Sequence, residues 1–256
     1  MVKHLSCVAI AVFLIGSVVA GPHSPARSHM NEPFAVEFTD CVESIGVGLI
    51  PTQQVQPLVP AEFHLVGEGQ PVTPLVVRTA RCGGIAVAGQ NSNPGSLVQI
   101  GVVIVPPDFS GDINNYTLWY YTSDSKLAHK LQLLGVEAQH VPTLDYEYVA
   151  GGGSRPLFVD VPRPGGPRLT VNGTVIESTN LAGSFQAIWW AKADDGRLRM
   201  DTLVPQIFSG GADLILTTAA SGALGQLIGG TSTGFPILQQ FNTFPAAHMG
   251  VSTTSP

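Results

Sequence analysis

Between residues 34 and 218 the chain runs through one short strand-type segment after another, and this density of β signals limits the fold more than any other feature. FAVEF (34–38) alternates apolar and polar residues. VVRTA (76–80), LVQIGVVIV (97–105) and TLWYYT (117–122) are crowded with β-branched and aromatic side chains, which suit a pleated, half-buried surface. DYEYV (145–149), PLFVDV (156–161), FQAIWWAKA (185–193), RLRMDTLV (197–204) and ADLILTT (212–218) continue the series. Strands this frequent predict a mainly β (α+β) fold, with a closed or strongly curved antiparallel sheet as in a barrel. Asn172-Gly173 and Asp195-Gly196 read as two-residue hairpin turns, because such turns need the positive φ these residues tolerate.

Two or three short helices are expected. Ser123 is placed to cap a helix in which Leu127, Leu131 and Leu134 share one face and Gly135 ends the run. TQQVQPLVP (52–60) is a second candidate, with Thr52 as cap and Pro57 as an internal obstacle. SGALGQLIG (221–229) is a third. Residues 231–256 carry Gly, Thr, Ser and Pro and no Asp, Glu, Lys or Arg, so they are expected to form a low-complexity, extended and partly ordered tail.

The first twenty residues have the layout of a secretory signal. Lys3 and His4 precede the apolar run Val8–Ala20, and Val18 and Ala20 fit the small positions before a cleavage site at Gly21. As a helix that run reaches only ~20 Å, short of a ~30 Å hydrocarbon core. Cleavage and a secreted, extracellular location (periplasmic in a bacterium) are therefore expected, with no membrane attachment afterwards. Residues 21–33, GPHSPARSHMNEP, are expected to be a disordered lead-in. Export leaves Cys41 and Cys82 as the mature cysteines, and an oxidising compartment favours a disulfide between them, with two buried thiols as the alternative. It also makes Asn115-Tyr116-Thr117 and Asn172-Gly173-Thr174 acceptor sites for N-glycans if the source is a eukaryote.

Charge excludes one class of partner. The formal net charge is -6, and Lys and Arg form no basic run, so a nucleic acid has nothing to bind. Gly230-Thr231-Ser232-Thr233-Gly234 matches G-x-S-x-G, but no Asp or Glu follows Asp213, and a nucleophile elbow needs an acid and then a histidine downstream. His64, His129 and His140 lack ligand spacing, so no metal is expected. Trp189-Trp190 sends one ring to each face of its strand, which favours one ring lining a cavity.

Three stretches together resemble the acetoacetate decarboxylase-like superfamily: VQPLVPAEFHLV (55–66), GSLVQIGVVIVP (95–106) and TLWYYTSDSKLAHKLQLLG (117–135). The resemblance rests on order and spacing over residues 45–220 or so, and it implies a cone around an interior pocket, with 34–230 as a single β-domain. It also implies where chemistry belongs. In those decarboxylases the glycine is followed by a residue, a proline and two lysines, the first of which forms a Schiff base with a β-keto acid after its pKa is depressed. On this sequence the two lysines fall at Ala138 and Gln139, and the glutamate of the family's "Y-x-E" strand falls at Gln99.

The resemblance therefore implies a divergent member without the Schiff-base lysine. Gln99, Ala138, Gln139 and Trp189 are the expected pocket-lining residues. The expected function is binding of a small, largely apolar or keto-acid-like molecule, with no cofactor and with oligomerisation left open. The alternative is a lyase or related enzyme acting on a small keto acid or polyketide-like substrate. It would use His140, Asp145 and Glu147 as acid/base groups, with Arg78 or Arg199 clamping a carboxylate.

Overall fold

Val36, Phe38, Cys41 and Val47 point to one side of β1 (Phe34–Pro51), and almost nothing of them is left exposed. β1 buries them by pairing on both edges, with β2 (Val72–Val87) and with β12 (Leu238–Thr254), both antiparallel. The computed structural model describes residues 32–162, 169–193 and 196–254. The expected leader and all but the last two residues of the lead-in lie outside them.

From β2 the ladder continues through β3 (Asn93–Val103), β4 (Ile113–Thr122), β9 (Leu181–Ala193) and β10 (Gly196–Thr218). β10 then pairs with β12, so the strands β12, β1, β2, β3, β4, β9 and β10 ring around. The predicted mainly β fold with a strongly curved sheet is what the structure shows, but the sheet is mixed. β4 runs parallel to β9 and also to β5 (Ala138–His140). A parallel neighbour needs a crossover connection, and the helix α2 (Ser125–Leu133) provides it between β4 and β5.

α2 packs Leu127 and Leu131 against the inner side of the ring, and Leu134 follows at its C-cap, all fully or nearly buried. The cap is Asp124, one residue beyond the expected Ser123: its Oδ1 accepts from the Leu127 N–H at 2.8 Å. Ser123 instead accepts from the Ser96 N–H and ties the helix entry to β3. Gly135 ends the helix at φ 90, as a left-handed residue should. Asp124→Ala should cost ~1 kcal/mol, read from the urea midpoint at unchanged slope. The second candidate helix shrinks to α1 (Thr52–Val55) and a 3-10 turn (Gln56–Leu58), started by Pro51 with no side-chain cap from Thr52. α3 (Ala223–Ile228) forms as expected and stops on left-handed Gly229.

The expected low-complexity tail is instead largely β-structure. β11 (Ser232–Gly234) pairs with β10, and the seventeen-residue β12 lies between β1 and β10. Phe241, Phe244, Met249 and Val251 anchor it in the core. Its Pro245 cannot donate to a ladder, and the pairing with β1 skips that position, opposite Asp40 at φ 50.

A second expectation also falls. Asn172-Gly173 is not a hairpin turn: β8 (Leu169–Ile176) runs straight through it, paired with β7 (Ser154–Val161) and with the second half of β10. A Cβ on Gly173 would sit 1.9 Å from the Asp213 carbonyl oxygen, so the glycine serves close strand approach. Gly196 does pair with Ala193 across the β9–β10 connection, while Asp195 lies outside the described residues.

Beyond β8 and β7 comes β6 (Asp145–Tyr148). These strands help bury an outer cluster that includes Phe63, Tyr121, Trp190 and Phe241. An inner cluster, which includes Tyr120, Trp189, Met200 and Phe244, fills much of the ring. Trp189 and Trp190 fall into different clusters, one on each face, and the Trp190 ring N–H donates to Asn114 Oδ1 at 2.8 Å.

A candidate binding site inside the ring

Strand register builds the interior rung by rung, because residues directly opposed across a ladder share a face. One rung holds Phe244, Cys41, Cys82 and Gly95, and the next holds Asn242, Glu43, Ala80 and Leu97. The third crosses six strands: Gln240, Ile45, Arg78, Gln99, Tyr120 and Ala138. The fourth holds Leu238, Val47, Val76, Gly101 and Thr117. Polarity is graded along the strands. Charge sits on the second and third rungs, and Leu238, Val47 and Val76 make an apolar fourth.

A cavity of about 230 Å³ lies against these rungs. Glu43, Arg78 and Gln240 line it from one side, with Ile45, Val47 and Val76 beside them. Phe185, Ala187 and Trp189 of β9 and Thr202 and Val204 of β10 close the far wall. Asn115 of β4 faces it, and Asp112, which is exposed, stands at its rim. Arg78 and Glu43 are 7% and 4% exposed and pair through Arg78 Nε and Glu43 Oε2 at 2.5 Å. Asn242 Nδ2 donates to the other carboxylate oxygen at 3.3 Å. A buried ion pair of this kind is neutral as a unit and costly to break from one side.

Several interior polar atoms have no partner. Asn115 Oδ1, Tyr120 OH, Thr202 Oγ1 and Asn242 Oδ1 are all buried without a hydrogen bond. Burial raises the Tyr120 hydroxyl well above the ordinary phenol range, against the pull of the nearby Arg78 guanidinium, so it remains protonated at neutral pH. Leaving a buried polar atom unmade is expensive, and two of these four residues, Asn115 and Thr202, line the cavity.

The expected pocket residues divide as follows. Gln99 and Ala138 share the third rung with Arg78, and Gln99 donates from Nε2 to Thr117 Oγ1 at 3.2 Å. Ala138 packs in the inner cluster beside Tyr120. Trp189 lines the cavity itself. Gln139, next in the strand, turns the other way and is half-buried. The acid/base candidates His140, Asp145 and Glu147 are all exposed, on β5 and on the outward face of β6, and none lines the cavity. Of the two expected clamps, Arg78 is inside. Arg199 faces outward, 2.8 Å from Asp201 Oδ2 and 5.9 Å from the Trp190 ring centroid.

Asn115, expected as a glycan site, is 1% exposed and lines the cavity. No sugar fits there in the folded chain. Asn172 is exposed. Cys41 and Cys82 are bridged, with Cα atoms 4.0 Å apart at directly opposed positions of β1 and β2. Lys126, Lys130 and Lys192 lie away from the cavity, the first two on α2 and the third on an exposed site of β9. A larger half-open cleft of about 490 Å³ runs where β4 parts from β9, lined by Tyr116, Trp119, Glu137 and Lys192 among others. It holds none of the interior polar rung, so the interior is the stronger candidate. Sequence reasoning missed Glu43, Tyr120, Thr202 and Asn242. For Glu43 a signal existed, since it interrupts the inward series Cys41, Ile45, Val47 at a spacing of two.

No protein-family model matches the chain, and no curated protein does. Solved structures do. The enduracididine biosynthesis enzyme MppR, complexed with the condensation product of pyruvate and imidazole 4-carboxaldehyde, superposes at TM-score 0.54 with 12% identity, covering 88% of this chain and 90% of that one. An acetoacetate decarboxylase-like enzyme from Sphingomonas wittichii RW1 superposes at TM-score 0.52 with 10% identity, covering 88% and 92%. An acetoacetate decarboxylase gives 0.56 with 11% identity, covering 93% and 96%. At such identities the likeness concerns architecture, and the chain has the acetoacetate decarboxylase-like fold.

Proposed function

We propose that the protein is exported and holds a small molecule inside the ring without forming a Schiff base. The observation that carries this is the third rung, which runs through Arg78, Gln99 and Tyr120 and ends on an alanine, Ala138, at the position the family resemblance gives to the reactive lysine. An alanine side chain has no amine to condense with a carbonyl. MppR, whose structure is known complexed with pyruvate, supports a small-ligand reading for this fold. The leader-like first twenty residues and the Cys41–Cys82 bridge support export. The rival reading, a lyase using His140, Asp145 and Glu147, has its acid/base groups on the surface.

Borohydride reduction in the presence of acetoacetate or pyruvate tests the claim. The intact mass should stay unchanged, because no lysine among the described residues lines the cavity. A reduced adduct mapping to Lys126, Lys130 or Lys192 would end the lysine-free reading.

A further inference from the structure

We propose that the interior selects a neutral, hydroxyl-bearing molecule with an apolar body of about nine heavy atoms, in preference to a keto-acid anion. This rests on the reading of the interior as a binding site and adds the chemistry of what enters it.

Size comes first. An apolar cavity of ~150 Å³ takes one benzene ring. Scaling to the 230 Å³ inside this ring gives room for about nine heavy atoms. The walls match an apolar body, since Val47, Val76 and Leu238 form one end and Phe185, Trp189 and Val204 the far side.

Charge argues against an anion. Arg78 is the one cation lining the cavity among the described residues, and Glu43 already holds its Nε. A ligand carboxylate taking that position would leave Glu43, 4% exposed, with only the Asn242 amide donor. An uncompensated buried carboxylate is strongly unfavourable. Asp112 at the rim adds a second negative group on the way in.

Hydrogen bonding then specifies the polar end. Asn115 Oδ1 can only accept, and the hydroxyl of Thr202 can accept or donate; both residues line the cavity. A carboxylate brings acceptors alone and does not serve the amide oxygen. A hydroxyl brings a donor to Asn115 Oδ1 and accepts from Thr202.

Trp189 lies in the wall, so ligand titrations can be followed by tryptophan fluorescence with calorimetry as control. Three probes of similar size separate the possibilities: 2-phenylethanol, propylbenzene and phenylacetate. The alcohol should bind at least about tenfold tighter than either of the others, a ratio one good hydrogen bond can supply. Thr202→Val should shrink that advantage several-fold. Tightest binding of phenylacetate, or equal binding of propylbenzene, would overturn the ligand class while leaving the interior as a binding site. If no probe binds, or if filling the space with Ala187→Phe does not weaken binding, both the ligand class and the site reading fall.

Discussion

Arg78→Met should destabilise the protein by ~3–5 kcal/mol, the cost of leaving a buried charge without its partner. Glu43, 4% exposed, would keep only the Asn242 amide at 3.3 Å. A loss of that size is a large fraction of the ~5–15 kcal/mol that holds a typical domain together. The double variant Glu43→Met with Arg78→Met should recover most of the loss, because an apolar pair of similar volume carries no desolvation cost. Urea unfolding of the two single variants and the double gives the coupling energy directly. Single losses under about 1 kcal/mol that simply add would mean the pair is solvated, and the neutral interior described above would then be wrong.

Opening the Cys41–Cys82 bridge should have the next largest effect. The cysteines are 41 positions apart, and closing a loop of that length removes ~4 kcal/mol of chain entropy from the unfolded state in the entropic account. For a chain of this size that is a fall in Tm on the order of 10 °C, measurable by scanning fluorimetry with and without reductant or with Cys82→Ala. The bridge lies one rung above Glu43, so reduction should also loosen the β1–β2 seam beside the cavity. Two free thiols in the purified chain, with a Tm indifferent to reductant, would remove both the bridge and its support for export.

The strand-rich architecture could be read from the sequence because its signals are local. β-branched and aromatic runs marked β2, β3 and β4, and the Leu127, Leu131, Leu134 spacing marked α2. Gln99, Ala138 and Trp189 were placed on the inner side by the order of segments and by strand alternation. Other features depended on partners far away in the chain. Residues 238–254 look featureless because a strand flanked on both edges needs no charge and little regular alternation, and its pairing with β1 spans about two hundred positions. Asn172-Gly173 has the composition of a turn, yet the close approach of Asp213 uses the same glycine for packing. Asn115 carries a glycan sequon while facing inward, since three consecutive residues cannot report which side of a sheet they occupy. The polar set of Glu43, Tyr120, Thr202 and Asn242 comes from four separate strands. Only closure of the ring brings Glu43 and Thr202 of that set to one cavity.

Native and denaturing mass spectrometry of the purified chain, compared side by side, test the central claim most directly. The account predicts a small extra mass that survives gentle ionisation, leaves on denaturation, and is absent or reduced in Ala187→Phe. A native mass equal to the bare chain under all conditions, or an added mass that persists on denaturation as a lysine adduct, would contradict it.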